Sequence, residues 1–526
     1  MPRKTLVLVA CVLGSGMAFL DGTVVNVALP AMASDLGAGL ATQQWVVEAY
    51  LLTLASFLLI GGSLGDLFGH RRVYVAGVAA FGATSLLCAV APDSITLIAF
   101  RALQGIAAAV LVPSTLGIIV ATFRESERGR AIGSWTAWTG IATVMGPLAG
   151  GVLVQAASWR WVFLINLPFA VLTIALTLRA MPDDRPSGRR PRLDVRGAAL
   201  AALGLAGPVF ALIEQPRRGW GDPLVWAPLA AGALLLVAFA LVERRERDPM
   251  VPLELFRRRN FAAGNLATLA MYAGLGLPFF FLVLFLQQVS GYGPVEAGVA
   301  LLPVTAIMFL ASKRFGAMAD RLGPRRLMTA GPLVAAAGVA LMLRLDVHAD
   351  YVTQLLPALL VFGLGLSATV APLTAAVLGG VESEHAGIAS GINNAIARIA
   401  TLLAVAVIGV FVSSQFTTAL HSRLPVDRLS PPARAAVQRA ESRPLSAAVP
   451  PAVRGAERAQ LRRALSDASL QAFRVAIGVA AGLLALAGLI SLAGMRDPRR
   501  DVPCEDCPGG ALVGAPEEAV PEPALA

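Results

Sequence analysis

The sequence predicts an all-α integral membrane protein with about fourteen transmembrane helices: two six-helix pseudo-symmetric bundles plus two inserted helices. Three observations carry that prediction. First, the 526 residues are 56% hydrophobic and only 14% charged. A soluble chain has about 25% charged residues, and no soluble fold of this size buries so large an apolar share. Second, the apolar residues gather in runs of the roughly 20 residues that cross a bilayer. Third, a charged motif that closes one run returns at the same spacing in the second half of the chain.

The runs fall at about 6–28, 45–64, 73–91, 95–120, 132–154, 161–178, 197–214, 224–242, 262–288, 296–315, 327–345, 352–378, 389–412 and 472–495. The opening "MPRKTLVLVACVLGSG" resembles a signal peptide, but its apolar run continues through Asp21 to Pro30 without a clear cleavage site, so it reads as a retained first helix. The net charge of +10 would suit nucleic acid. The arginines instead sit in short clusters between apolar runs, the pattern of the positive-inside rule. With the N-terminus inside, the inner segments hold Arg3, Arg71, Arg72, Arg124, Arg128, Arg130, Arg244, Arg245 and Arg257 to Arg259. An even helix count returns the C-terminus to the cytoplasm, so the expected location is the cell membrane with both termini cytoplasmic.

The expected divisions follow. Residues 1–180 form a first six-helix half, and 181–260 carry two inserted helices with their linkers. Residues 261–495 form the second half, with a long outer loop at 414–470, and 496–526 are a disordered cytoplasmic tail rich in Pro, Glu and Ala. Within 414–470, "SPPARAAVQRAESR" and "RGAERAQLRRALSDAS" have helical spacing. Short amphipathic helices and a flexible loop are both open there.

"GGSLGDLFGHRRVY" (61–74) and "GAMADRLGPRRLM" (316–328) are the two copies of the motif. Gly62 aligns with Gly316, Asp66 with Asp320, Gly69 with Gly323, and Arg71 and Arg72 with Arg325 and Arg326. Each copy joins the second helix of a half to the third. Internal repeats of this kind mark secondary transporters. Gly62 and Gly65 would allow close helix approach. The acid would bind a neighbouring helix N-terminus or an arginine, as a latch that holds one conformational state.

Other stretches extend the pattern: "LDGTVVNVALP" (20–30), "RALQGIAAA" (101–109), "GPLAGG" (146–151) and "WRWVFLINLP" (159–168). On these motifs the chain resembles the major facilitator superfamily, and within it the fourteen-helix drug/proton antiporters of the EmrB/QacA type. The resemblance covers nearly the whole chain. It implies proton-coupled efflux of lipophilic drug-like compounds by alternating access. An importer on the same scaffold is the alternative, and a membrane scaffold or sensor without transport is a further one. It also implies that Gly146, Pro147, Gly150 and Gly151 form the helix-five antiporter motif, which seals the cytoplasmic-side exchange path. Two departures stand out. Ala142 replaces the glycine that usually opens that motif, and the acids that some relatives carry deep in helix ten or thirteen have no counterpart, since helix ten ends in Lys313 and Arg314 and helix thirteen carries Arg398.

Ionisable residues inside a membrane are costly and mark function by default. Asp21 in the first helix, Arg101 in the fourth and Glu48 in the second are the expected proton- or cation-coupling residues. The alternative for Asp21 is a structural acid bonded to Thr23 or a neighbouring helix, and for Arg101 a simple pairing with an acid. Pro147 would bend its helix and leave backbone groups unpaired. Phe19, Tyr50 and Tyr272 would line an apolar, aromatic substrate cavity, or else face lipid.

No catalytic constellation is visible, and no phosphate-binding GxxxxGK[ST] suggests ATP as the energy source. The protein is expected not to be an enzyme and to need no cofactor, the proton gradient being the drive. Cys11 and Cys88 read as packing residues, and Cys504 and Cys507 lack the further ligands of a metal site, so no metal is expected. The expected partners are a small lipophilic substrate, protons and the bilayer, without nucleic acid, and the working unit is expected to be a monomer.

Overall fold

The computed structural model describes residues 3–181, 194–246, 249, 251–378, 386–425, 429–441, 444–445 and 449–496. Helices account for nearly all of them. In chain order these are α1 (Arg3–Asp35), α2 (Leu40–Phe68), α3 (His70–Ala89), α4 (Ser94–Thr122), α5 (Glu125–Ala156), α6 (Trp161–Ala180), α7 (Val195–Arg218) and α8 (Pro223–Glu243). They continue with α9 (Arg259–Gln288), α10 (Pro294–Ala300 extended by Leu302–Leu322), α11 (Pro324–Leu341), α12 (Leu356–Leu378), α13 (Ala386–Arg423), α14 (Pro431–Glu441) and α15 (Gly455–Gly494). Among the described residues 13 helices are long and apolar enough to cross a membrane. The 29-residue α2, as long as α4 and packed along it, joins them as a spanning helix.

The ends of these helices are set by local chemistry. Asp93 caps α4: its carboxylate accepts the Thr96 N–H at 2.9 Å and the Thr96 hydroxyl at 2.9 Å, which holds this exposed acid below the usual carboxylate range. Asp222 caps α8 through the Leu224 N–H at 2.9 Å, with Pro223 in the first turn, where no N–H is needed. Because the span count is even, both chain ends emerge on one face, here called the terminal face. The opposite, distal face carries the loops at 36–39, 90–93, 157–160, 219–222 and 289–293.

In the first half α1 packs on α4, α5 and α6, α2 on α4, and α3 on α4 and α6. In the second half α9 packs on α13 and α15, α11 on α12 and α15, and α10 on α12. The inserted α7 and α8 pack on each other, and α7 also rests on α2 and α13. There Leu205, Val209 and Ile213 meet Leu52, Leu402 and Ala406. Of the α8 residues only Val225, Gly232 and Glu243 are buried, so that helix turns most of its surface outward. The pair stands against the outside of the seam between the halves.

The repeat is a repeat of geometry. Gly69 joins α2 to α3 at φ 91° and ψ 130°, and Gly323 joins α10 to α11 at φ 83° and ψ 147°. The N–H of each closes the preceding helix, on Gly65 O and Ala319 O respectively. This backbone region is essentially restricted to glycine, and forcing another residue into it costs of order 1–3 kcal/mol. Gly69→Ala and Gly323→Ala should each therefore lower stability by about that much, read as a drop in melting temperature of the detergent-purified protein. Melting points indistinguishable from wild type would show that the turns relax freely.

The 414–470 stretch departs from the loop reading. It is α13 to Arg423, then α14, then α15 from Gly455, with connecting residues between them. Leu429, Ala433, Val437, Leu445, Val453, Leu461 and Leu465 are buried in the same core cluster as Phe281 and Phe473. Alanine and small apolar residues at helical spacing, hidden among arginines, supply the buried face. Residues 497–526, including Cys504 and Cys507, lie outside the described residues.

Candidate functional site in the bundle core

Five helices of the first half converge on one polar cluster. Asp21 of α1 and Arg101 of α4 are 0% and 1% exposed and form an ion pair, Arg101 Nη1 to Asp21 Oδ2, at 2.5 Å. Gln104, one turn after Arg101, donates from Nε2 to Asp21 Oδ1 at 3.1 Å and accepts from Arg101 Nη1 at 2.7 Å. Asn166 of α6 donates to Asp21 Oδ1 at 3.2 Å and to Ser85 Oγ of α3 at 3.1 Å. Arg101 Nε donates to Val46 O of α2 at 2.9 Å, and the guanidinium lies 4.3 Å from the centre of the Tyr50 ring. Both Asp21 oxygens are satisfied, so the charge is compensated and hydrogen-bonded, the condition for burying an ion pair. Of the two alternatives for Asp21, the partner is the neighbouring Arg101 rather than Thr23.

Thr23 serves the antiporter motif instead. Pro147 lacks an N–H, so Thr143 O, four residues earlier, has no helical partner. The Thr23 hydroxyl donates to that carbonyl at 2.9 Å. The α5 helix runs unbroken from Glu125 to Ala156 through Pro147, and the freed carbonyl is therefore paired rather than left open. A side chain at Gly146 would strike Thr23 Oγ1, and one at Gly150 would come within 2.8 Å of Val24 O. A side chain at Gly151 would lie 2.5 Å from Pro294 O of α10. Gly298 of α10 sits against Pro147 O in turn. These residues lie in the last third of α5, near the distal face. Their contacts with α1 and α10 are therefore made toward the distal face. Thr23→Val keeps the shape but leaves Thr143 O unpaired, which should cost about 1–3 kcal/mol, read as a lower melting temperature. A Thr23→Ser variant should stay near wild type, and equal losses in both would disprove the hydroxyl's role.

Glu48 of α2 is the opposite of Asp21. It is 0% exposed, and neither carboxylate oxygen has a hydrogen-bond partner among the described residues. One turn earlier, Gln44 Nε2 reaches across the seam to Val405 O of α13 at 2.9 Å and fills the space above Gly409. The charged groups on the helices around α2 are otherwise engaged or distant. Arg101 is paired with Asp21, and Glu214 of α7 accepts from Trp45, Arg217 and Arg218. Those of α3 lie at the terminal face. Arg398 of α13 is half-buried and has Tyr50 and Tyr272 as its electrostatic neighbours.

The aromatic trio separates. Tyr50 is 1% exposed, and its hydroxyl donates to Ala18 O at 3.2 Å, so it is a strut under Arg101 rather than a cavity wall. Phe19 and Tyr272 are half-buried. Tyr272 O accepts the Thr401 hydroxyl at 3.2 Å.

The side chains of Asp66 and Asp320 lie outside the described residues. The close helix approach in the first copy is made at Gly61, against Ala109 O, while Gly62 is in ordinary contact with Pro113; this corrects the assignment to Gly62. Gly65 lies against the His70 ring, and Gly316 is half-buried. Arg71 Nη2 donates to Leu178 O in the last turn of α6 at 3.3 Å, and Arg325 Nη2 to Leu492 O in the last turn of α15 at 2.8 Å. The first arginine of each pair thus straps its own half, where a cation suits the helix C-terminus. Arg72 and Arg326 are exposed. Arg3 Nε to Ala180 O at 2.8 Å and Arg259 Nε to Gly494 O at 2.9 Å repeat the strap with the first residue of α1 and of α9, a correspondence the motif alignment does not contain. Sequence reasoning missed Gln44, Gln104 and Asn166, and the role of Thr23 toward Thr143 O; a lone polar residue inside an apolar run was the available signal.

Comparison with known proteins places this geometry. The profile of the Major Facilitator Superfamily matches residues 11–405. The chain is 41% identical over 411 residues to the puromycin resistance protein pur8 of Streptomyces alboniger, covering 77% of this chain and 81% of that protein. It is 34% identical over 499 residues to the tetracenomycin C resistance and export protein of Streptomyces glaucescens, covering 93% and 91%. Among solved structures, a bacterial homologue of the human lysosomal transporter Spinster, inward-facing and unoccupied, aligns with a TM-score of 0.66 at 17% identity, over 95% of this chain and 99% of that one.

Proposed function

The chain belongs to the major facilitator superfamily, and we propose that it exports small lipophilic, antibiotic-like molecules across the cell membrane by alternating access, driven by protons. It is a multi-pass membrane transporter rather than an enzyme. The observation that carries the reading is the one-sided seal between the halves. Among the described residues, the two side-chain hydrogen bonds that cross from one half to the other both lie near the distal face: Gln44 to Val405 O, and Gln287 Nε2 to Val27 O at 3.0 Å. The Gly151–Pro294 contact lies at the same end.

A transporter sealed at one end is in one of the two states that alternating access requires. With the termini in the cytoplasm, as the arginine distribution supports, this is the state that loads from inside. The paired turns at Gly69 and Gly323, with their arginine straps, would keep each half rigid while the halves rock about the central site. Glu48, buried and without a hydrogen-bond partner among the described residues, is the group best suited to carry a proton. A carboxylate buried without a donor is costly, whereas a neutral acid suffers far less from burial.

Everted vesicles bearing the chain, with an acidified lumen, should accumulate puromycin or tetracenomycin C several-fold above vesicles without it, and a protonophore should abolish the difference. Equal accumulation with and without the chain would overturn export of these compounds. Accumulation indifferent to the protonophore would overturn proton drive.

A further inference from the structure

Arg398 is the feature that the transport reading leaves unused. It lies twelve residues into α13 from Ala386, about 18 Å along the helix, near the middle of a hydrocarbon core about 30 Å thick. Two other polar side chains near it on α13, Asn393 and Thr401, are tied to α9. Asn393 donates to Asn265 Oδ1 at 3.1 Å and to Thr268 Oγ1 at 2.8 Å, and Thr401 donates to Tyr272 O. Ala397 and Ala400 are buried, while Leu402 and Ala406 pack on the seam with Leu52. Arg398 alone is half-buried, with no hydrogen bond or ion pair among the described residues. Its electrostatic neighbours are two phenols, Tyr50 from the first half and Tyr272 from its own, and neither supplies a counter-charge.

The contrast with Arg101 is direct. Arg101 has a carboxylate, a carbonyl, an amide oxygen and an aromatic face. A guanidinium at membrane depth with none of these is costly unless an anion completes it. The acids of the bundle core do not fill that role: Asp21 is saturated, and Glu48 makes no ion pair.

We propose that Arg398 anchors an anion site in the space between the halves, and that the exported class is an acidic lipophile: an apolar, aromatic-sized body bearing one carboxylate, phenolate or enolate. This rests on the export reading. The planar fork of arginine matches two oxygens in one plane, and the half-buried Tyr272 and Phe19 supply flat apolar surface on the two halves. Dicationic compounds are disfavoured by the same uncompensated charge. Export of an anion is also helped by the inside-negative potential, which drives negative charge outward.

The test uses the full chain reconstituted in phosphatidylcholine vesicles, with radiolabelled 2-naphthoate, its methyl ester and 2-naphthylmethylamine as matched probes. Wild type should bind and export 2-naphthoate at least tenfold better than the ester or the amine. Arg398→Gln should lose that preference while retaining ester transport, and Arg398→Lys should keep part of it; ester transport and a monodisperse elution profile certify folding. Transport of ester or amine at least equal to naphthoate would overturn the proposal and leave export standing. No transport of any probe, puromycin or tetracenomycin C by wild type would overturn both. Phosphatidylglycerol vesicles distinguish the source of the anion. If that lipid displaces naphthoate from wild type but leaves Arg398→Gln unaffected, the site belongs to a lipid phosphate and the small-molecule assignment falls.

Discussion

Arg101→Gln is expected to leave little folded protein, and combining it with Asp21→Asn is expected to restore it. Removing one member of a buried ion pair leaves the other without compensation, at a cost of about 3–5 kcal/mol. Arg101 holds Asp21, Gln104 and Val46 O at once, so its loss frees groups on α1, α2 and α4 together. In the double variant the charge is gone from both sides. The amide put in place of the Asp21 carboxylate still accepts from Gln104 and Asn166 through its oxygen. Its NH2 group can donate to the second new amide, the one that replaces the Arg101 guanidinium. The measurement is the yield of monodisperse protein and its melting temperature. A single variant as stable as wild type would mean that water reaches this cluster and the pair is not sealed. A double variant as poor as the single would mean that the stacking of Arg101 on Tyr50, rather than its charge, holds these helices together.

The sequence showed the fold so fully because bilayer and repeat constrain it twice. An apolar run of fixed length has one structural outcome in lipid, and the copies around Gly69 and Gly323 place each turn independently. The 414–470 stretch was legible only in part, for the same reason. It lies outside the bilayer pattern, and although two of its segments have helical spacing, nothing in them says that Leu429, Val437 and Leu461 are buried in the core of the bundle. In the core, Asp21 and Arg101 were legible as expensive residues, but their pairing was not: 80 positions separate them, and only the packing of α1 on α4 makes them neighbours. Gln104 and Asn166 carry no charge to draw attention, yet they complete the coordination of Asp21. The position of Gly151 against Pro294 depends on which ends of the two halves meet, and that is a property of the conformational state rather than of any local motif.

Glu48→Gln is expected to abolish uphill export driven by a pH difference while sparing downhill exchange of the same compound. The substitution keeps the shape and the buried position but removes the proton that the site would carry. Uphill export needs a proton taken up on the acidic side and released on the other. Only a group whose surroundings alternate between dry and wet can do that, and Asp21, saturated by Arg101, Gln104 and Asn166, is poorly placed for it. Glu48 sits one turn inward from Gln44, whose bond to Val405 O closes the distal face. Opening that face breaks the bond and admits water to the next turn of α2. One proton entering across 100 mV contributes about 2.3 kcal/mol, roughly a fifty-fold gradient of a neutral compound, and Glu48→Gln should forfeit all of it. Glu48→Asp should retain part, since a shorter acid still titrates. The check is accumulation in reconstituted vesicles with an imposed pH difference, against counterflow exchange without one. If Glu48→Gln still concentrates the compound, the proton travels elsewhere, and Asp21 with Arg101 becomes the carrier through a state in which their ion pair opens. Loss of exchange along with coupling would instead make Glu48 a structural residue of the α2–α13 seam.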